Sequence, residues 1–150
     1  MTLVISATDL EAIRRQGGRD YPHETCGLLA GRWDGEAKRV ERVVPMPNAR
    51  GDSPRNRYLI GPDAFRRAAL ELERDGLEVV GVYHSHPDHP PRPSEFDREH
   101  AWPRLSYVIL EVRAGRAQTL ASWVLADDRA GFVAEPMIID ERTVTWQSRS

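Results

Sequence analysis

Two histidines one residue apart, His84 and His86, close the apolar run Leu77–Tyr83, and a proline-rich stretch then leads to Ser94 and Asp97. Residues two apart in an extended chain project to the same side, so both imidazoles can converge on one point. Neutral imidazoles are good zinc ligands, and one nearby carboxylate completes a three-ligand site whose fourth position stays open. Water in that position has its pKa lowered toward about 7 and becomes a nucleophile at neutral pH. A strand-end histidine pair is otherwise a pair of surface residues, but the rigid loop and the carboxylates behind this one favour a metal. The third ligand has two candidates on spacing alone, Asp88 with His89 and, seven residues plus a Ser-x-x step further on, Asp97. Ser94-x-x-Asp97 also reads as a helix start, since Ser is a preferred N-cap and the pattern resembles a capping box.

The elements that must hold these residues are legible from pattern. Residues 2–5 form a short strand, and Thr8-Asp9-Leu10-Glu11 reads as a capping box opening a helix that Gly17-Gly18 weakens. Cys26 to Trp33 and Arg39 to Val44 are strands around a turn at Asp34-Gly35, and residues 45–57 are a surface loop. Residues 58–60 return briefly to strand. Pro62 stands at the first position of the clearest helix, with Phe65, Ala68, Ala69 and Leu72 on one face and Gly76 as its stop. Leu77 to Tyr83 is a strand. Residues 87–93, four of them proline, can be neither helix nor central strand. Ser94 to about Ala101 is a short helix, 105–112 and 119–125 a hairpin around Ala114-Gly115, and 132–139 an edge strand interrupted by Pro136. Turns this short between strands favour a mixed sheet with helices packed on it.

Composition narrows the class. With 150 residues the chain has room for one domain, 1–150, and a core that needs no staple. Apolar residues make up 40% and charged residues 29%, with a formal net charge of −2, so nothing recruits nucleic acid or an anionic membrane. Lys38 is the single lysine among 21 basic residues. The lone cysteine, Cys26, forms no internal disulfide, and the N-terminus has no signal-peptide pattern; both suit the cytoplasm.

His84-x-His86-x-Asp88-His89 resembles the metal signature of the metallo-β-lactamase superfamily, but no histidine follows residue 100 and the chain is short for that sandwich. The alternative, His84-Ser85-His86-Pro87 with Ser94-x-x-Asp97, resembles the JAMM (MPN+) metalloprotease motif. Glu24, in Glu24-x-x-Gly27, stands where that family places an upstream glutamate, and the order of elements agrees over most of residues 2–125. The resemblance implies an α/β layered sandwich of cytidine-deaminase-like type, a mixed sheet flanked by helices. It implies one Zn²⁺ per chain on His84, His86 and Asp97, Glu24 as general base and Ser94 as oxyanion donor. It further implies a zinc-dependent (iso)peptidase acting after the C-terminal glycine of a ubiquitin-like sulfur-carrier protein. A non-catalytic MPN scaffold and a RadC-like DNA-repair domain are the alternatives. Ser85, where RadC-type motifs carry asparagine, and the absence of a basic patch disfavour the second. Cys26 reads as a buried small residue rather than a nucleophile, and His23 and His89 as loop residues. His100 is a candidate outer partner of Asp97, Arg50-Gly51-Asp52 is a chance tripeptide, and Trp102, Trp123 and Trp146 are core or rim aromatics.

Overall fold

A computed structural model of the chain describes residues 1–49 and 58–140; the Arg50-Gly51-Asp52 tripeptide and Trp146 lie outside them. In chain order the elements are β1 (Thr2–Ile5), α1 (Ala7–Asp20), β2 (Cys26–Asp34), β3 (Ala37–Met46), α2 (Pro62–Arg74), β4 (Glu78–Pro87) and α3 (Glu95–His100). They are followed by β5 (Ser106–Arg113), β6 (Arg116–Leu125), β7 (Phe132–Glu135) and β8 (Met137–Ile139). The strands form one mixed sheet in the order β7-β6-β5-β4-β2-β3-β1-β8. Helices lie on both of its faces, in agreement with the expected mixed α/β sandwich.

Helix α1 starts earlier than the Thr8 signature suggests, because Ser6 is the N-cap and its Oγ accepts the Asp9 N–H at 3.0 Å. The two glycines do not end the helix. A Cβ at Gly17 would stand 2.4 Å from Leu110 Cδ2, so glycine there lets the helix lie close on β5. Leu10 and Ile13 join Leu29, Tyr83, Val108 and Leu110 in the core on this face. The opposite face of the same strands supplies Leu28, Ala30 and Val82, covered by Ala68 and Leu72 of α2. The alternation along β2, with Leu28 and Ala30 on one face and Leu29 on the other, is the period-two pattern of a strand buried on both sides. Pro62 opens α2, and Gly76 at φ +75° ends it, as the sequence indicates.

Residues 58–60 are not a strand; Leu59 is tied to the chain before it, donating to Asn48 Oδ1 at 3.0 Å and accepting from Ala49 N–H at 2.7 Å. The segment 132–139 is not one edge strand but two. β7 pairs with β6 at one edge of the sheet and β8 pairs in parallel with β1 at the other, with Pro136 alone between them. Proline cannot donate to a ladder, so the strand breaks there and its halves are free to pair with different partners. The two edges of the sheet therefore meet at Pro136. An ion pair is buried beside this closure: Lys38 of β3 and Glu135 of β7 lie 3.0 Å apart with side chains 0% and 1% exposed. Glu135 Oε1 also accepts from the hydroxyls of Ser106 and Ser122, and Lys38 donates to the Arg104 carbonyl at 3.0 Å.

Candidate active site

The antiparallel register of β2 and β4 sets Cys26 opposite His84. One step beyond, Thr25 and Ser85 are joined twice: Ser85 N–H donates to Thr25 O at 3.0 Å, and Thr25 N–H donates to Ser85 Oγ at 2.8 Å. Continuing that register brings Glu24 level with His86, and alternation puts Glu24, Cys26, His84 and His86 on one face of the sheet. Strand β4 does not stop at Tyr83 but runs on through the motif to Pro87, which pairs with β5. Both histidines are thus held on a paired, central strand rather than on a strand end. They are buried, as are Glu24 and Asp97.

Asp97 arrives from α3. Ser94 is the N-cap of that helix and forms a reciprocal capping box with Asp97. His84 Nε2 and His86 Nε2 stand 3.1 Å apart, and each is 3.3 Å from one carboxylate oxygen of Asp97. His86 Nδ1 is 2.8 Å from the Pro90 carbonyl, an acceptor only, so Nδ1 donates there and Nε2 is the ring nitrogen turned toward His84 and Asp97. His84 Nδ1 is buried without a partner, and its ring is instead stacked on Tyr58, with centroids 4.3 Å apart at 19°.

Charge follows from burial. Desolvation holds His84 neutral by lowering its pKa against the pull of Asp97. Burial opposes protonation of His86 as well, but hydrogen bonds to Asp97 and Pro90 outweigh it and raise that pKa. Asp97 is driven the other way: its burial is overcome by the two histidines and by the Ser94 N–H, which keep the carboxylate ionised. Two imidazole nitrogens and a carboxylate are therefore crowded together in a group whose common need is a cation. Two nitrogens bound at 2.0–2.1 Å to one tetrahedral centre lie about 3.3 Å apart. The observed separations fit that spacing, and the three ligand atoms are the described group of His, Cys, Asp and Glu side chains suited to a metal ion. Asp88 is not a rival ligand. It turns at φ 59° to take Tyr21 Oη–H at 2.6 Å and Ala114 N–H at 3.0 Å, anchoring the proline loop to α1 and to the β5–β6 turn.

A cleft of about 270 Å³ opens onto this group, lined by Glu24, His86, His89, Arg92, Ser94 and Asp97 among others. Cys26 lies beneath the site, its thiol pushed up to about 12 by burial and by the acidic Glu24 and Asp20. It is a thiol, not a thiolate, at neutral pH. His100 does not reach Asp97; it stacks on Phe96 and hydrogen-bonds the Phe96 carbonyl of its own helix. His23 is an exposed loop residue. Tyr58 and Arg92 are not singled out by the sequence: one is distant along the chain, and the other sits in the 87–93 loop, which reads as a border of the cleft without any one residue standing out.

Residues 6–126 match the family described as prokaryotic homologues of the JAB domain. The chain belongs to that family. A relative from Thermus thermophilus, named "Probable TtuB-protein conjugate cleaving protease", is 43% identical over 108 residues, covering 72% of this chain and 69% of that protein. A "CysO-cysteine peptidase" of Mycobacterium tuberculosis is 33% identical over 141 residues, 93% of this chain and 92% of the relative. The solution structure of a protein from Desulfitobacterium hafniense superposes with a TM-score of 0.80 at 31% identity, covering 94% of each chain. The JAMM resemblance read from the motif is thereby borne out, and this JAB-domain protein is a hydrolase. Among its described residues, no helix is long and apolar enough to cross a membrane.

Proposed function

We propose that this JAB-domain protein is a zinc-dependent peptidase of ubiquitin-like sulfur carriers. It cleaves after the carrier's C-terminal glycine and releases cysteine or a longer C-terminal extension in the cytoplasm. The observation that carries this reading is the triangle of His84, His86 and Asp97, with edges of 3.1 and 3.3 Å, beside buried Glu24 in one cleft. His84 Nε2, His86 Nε2 and an Asp97 oxygen would hold the zinc. A bound zinc ion makes water acidic enough to lose a proton near neutral pH and polarises a carbonyl.

The protein's own groups do the rest. Glu24 takes the proton of the attacking water on its carboxylate and returns it to the departing amine. Ser94 Oγ accepts the Asp97 N–H and keeps its own O–H to donate to the carbonyl oxygen as negative charge develops there. The Pro90 carbonyl keeps His86 Nδ1 protonated, which fixes the tautomer the site needs. The stacked Tyr58 ring holds the plane of His84. Relatives named as a TtuB-protein conjugate cleaving protease and as a CysO-cysteine peptidase support a protein-conjugate substrate.

The test offers zinc-loaded protein sulfur carriers ending in Gly-Gly, extended by cysteine or by a longer peptide, and follows the products by mass spectrometry. Release of a carrier ending in Gly-Gly is expected. No cleavage of either substrate overturns the proposal in favour of a non-catalytic scaffold.

A further inference from the structure

One charged group in the cleft has no task in the mechanism above. Arg92 lines the cleft with Glu24, Ser94 and Asp97, and its side chain is exposed. Among the described residues its guanidinium takes part in no hydrogen bond or ion pair. Arg98, close by on α3, is by contrast committed to Glu95 and to the Arg129 carbonyl. The backbone beneath Arg92 is fixed. Its N–H donates to Pro90 O at 2.8 Å, Trp123 Nε1 donates to Pro91 O at 3.0 Å, and His86 Nδ1 engages Pro90 O as well. An unpaired cation is therefore held on a stiff loop at the mouth of the cleft. A substrate that brings its own anion to that point gains a charged partner there.

We infer that Arg92 recognises the α-carboxylate of a single-residue leaving group, and so selects carriers extended by one amino acid over carriers joined to a lysine side chain. The inference rests on the function proposed above. Around the scissile bond of such a substrate the glycine tail is uncharged, and the only anion is the carboxylate of the departing residue. In a lysine-linked conjugate the departing group is an ε-amine on an alkyl stem, with no carboxylate beside it. The guanidinium fork matches a carboxylate with two parallel N–H donors.

The test uses zinc-loaded wild type and Arg92→Gln with carriers ending Gly-Gly-Ala, either as the free acid or as the C-terminal amide. Wild type is expected to favour the acid by about 10- to 100-fold in kcat/KM, mainly through KM, as for a hydrogen bond to a charged group. Arg92→Gln loses that preference, its effect on the acid being about 10-fold or more greater than its effect on the amide. Binding of the Gly-Gly-Ala acid and amide peptides is also measured by calorimetry in Glu24→Gln and Glu24→Gln/Arg92→Gln proteins, where turnover does not intervene. An acid preference in the first that is lost in the second supports the subsite. An equal effect of the substitution on acid and amide, or no acid preference in the parent, overturns it. Failure of all hydrolysis would instead strike the proposed function, while the binding comparison still decides the role of Arg92.

Discussion

Ser94 and Asp97 hold one another twice: the Asp97 N–H donates to Ser94 Oγ at 3.1 Å, and the Ser94 N–H donates to Asp97 Oδ2 at 2.8 Å. Oδ2 is also the oxygen that faces His86 Nε2. The start of a six-residue helix thus aims the carboxylate of the His84–His86–Asp97 triangle and leaves the serine hydroxyl in the cleft. Ser94→Ala should cost about 1 kcal/mol of stability through the lost cap. Its kcat should fall about 10²- to 10³-fold if the hydroxyl also serves the carbonyl oxygen. Ser94→Thr keeps the cap, so urea unfolding of the two variants beside their kcat separates the two roles. A fall in kcat no larger than threefold for Ser94→Ala removes the serine from the reaction.

Metal content divides the site into holders and a base. Wild type should bind about one zinc per chain by the ligand count. Zinc added to metal-free protein should raise its melting temperature, because the ion binds only the folded triangle. His84→Ala/His86→Ala should bind none and show no such rise. Glu24→Gln should keep both the metal and the thermal response while losing about 10²- to 10⁴-fold in kcat. Metal analysis, calorimetric melting and turnover on the same samples check all three. Stoichiometric zinc in the double variant would place the metal elsewhere.

Cys26 should be chemically silent. Its pKa is raised from 9.0 to about 12, so the folded protein holds the proton over a range where the unfolded chain releases it. The resulting stability is intact below pH 9 and declines as pH rises from about 9 to 12. At pH 7.5, iodoacetamide should label the native protein far more slowly than the urea-unfolded one. Cys26→Ala should keep turnover within about threefold, and a large loss would revive the thiol as a participant.

The Lys38–Glu135 pair is predicted to be a weak point when only one partner is removed. Burial presses the Lys38 pKa down while Glu135 supports its charge. Lys38→Met leaves a buried carboxylate without its cation and should cost about 3–5 kcal/mol. Lys38→Met/Glu135→Gln removes the charge from both and should recover much of that, since Ser106 and Ser122 still have an oxygen to bond. Urea unfolding of the single and double variants gives the comparison; equal losses would show that the charge itself is immaterial.

What could be read in advance follows from distance along the chain. His84-x-His86 and Ser94-x-x-Asp97 are local patterns, so both halves of the candidate metal site and the spacing between them are visible in one line of sequence. Glu24 lies 60 residues upstream of His84 and became visible only by family likeness; its place beside His86 is a consequence of strand register. The supports of the site were hidden for the same reason. Tyr58 on His84, Trp123 on the Pro91 carbonyl and Asp88 between Tyr21 and Ala114 join segments far apart in sequence, and no periodicity announces them. The Thr8 signature misplaces the start of α1 because Ser6, two residues earlier, carries the same cap chemistry. Lys38 looks like any surface lysine by composition, and only the closing of the sheet puts it inside. Pro136 was legible as a break, but a break does not say that the chain beyond it changes edges.

Because the outermost strands are two halves of one segment, four and three residues long, a stretch of eight residues guards both flanks of an eight-stranded sheet. Little backbone is left exposed to recruit a strand from another molecule, the usual route to edge-to-edge aggregation. Detaching Phe132–Ile139 would bare the ten-residue β6 and the four-residue β1 in a single event. The covering of both β6 and β1 therefore hangs on one latch near residue 136, far in sequence from the His84–His86–Asp97 triangle and from Glu24.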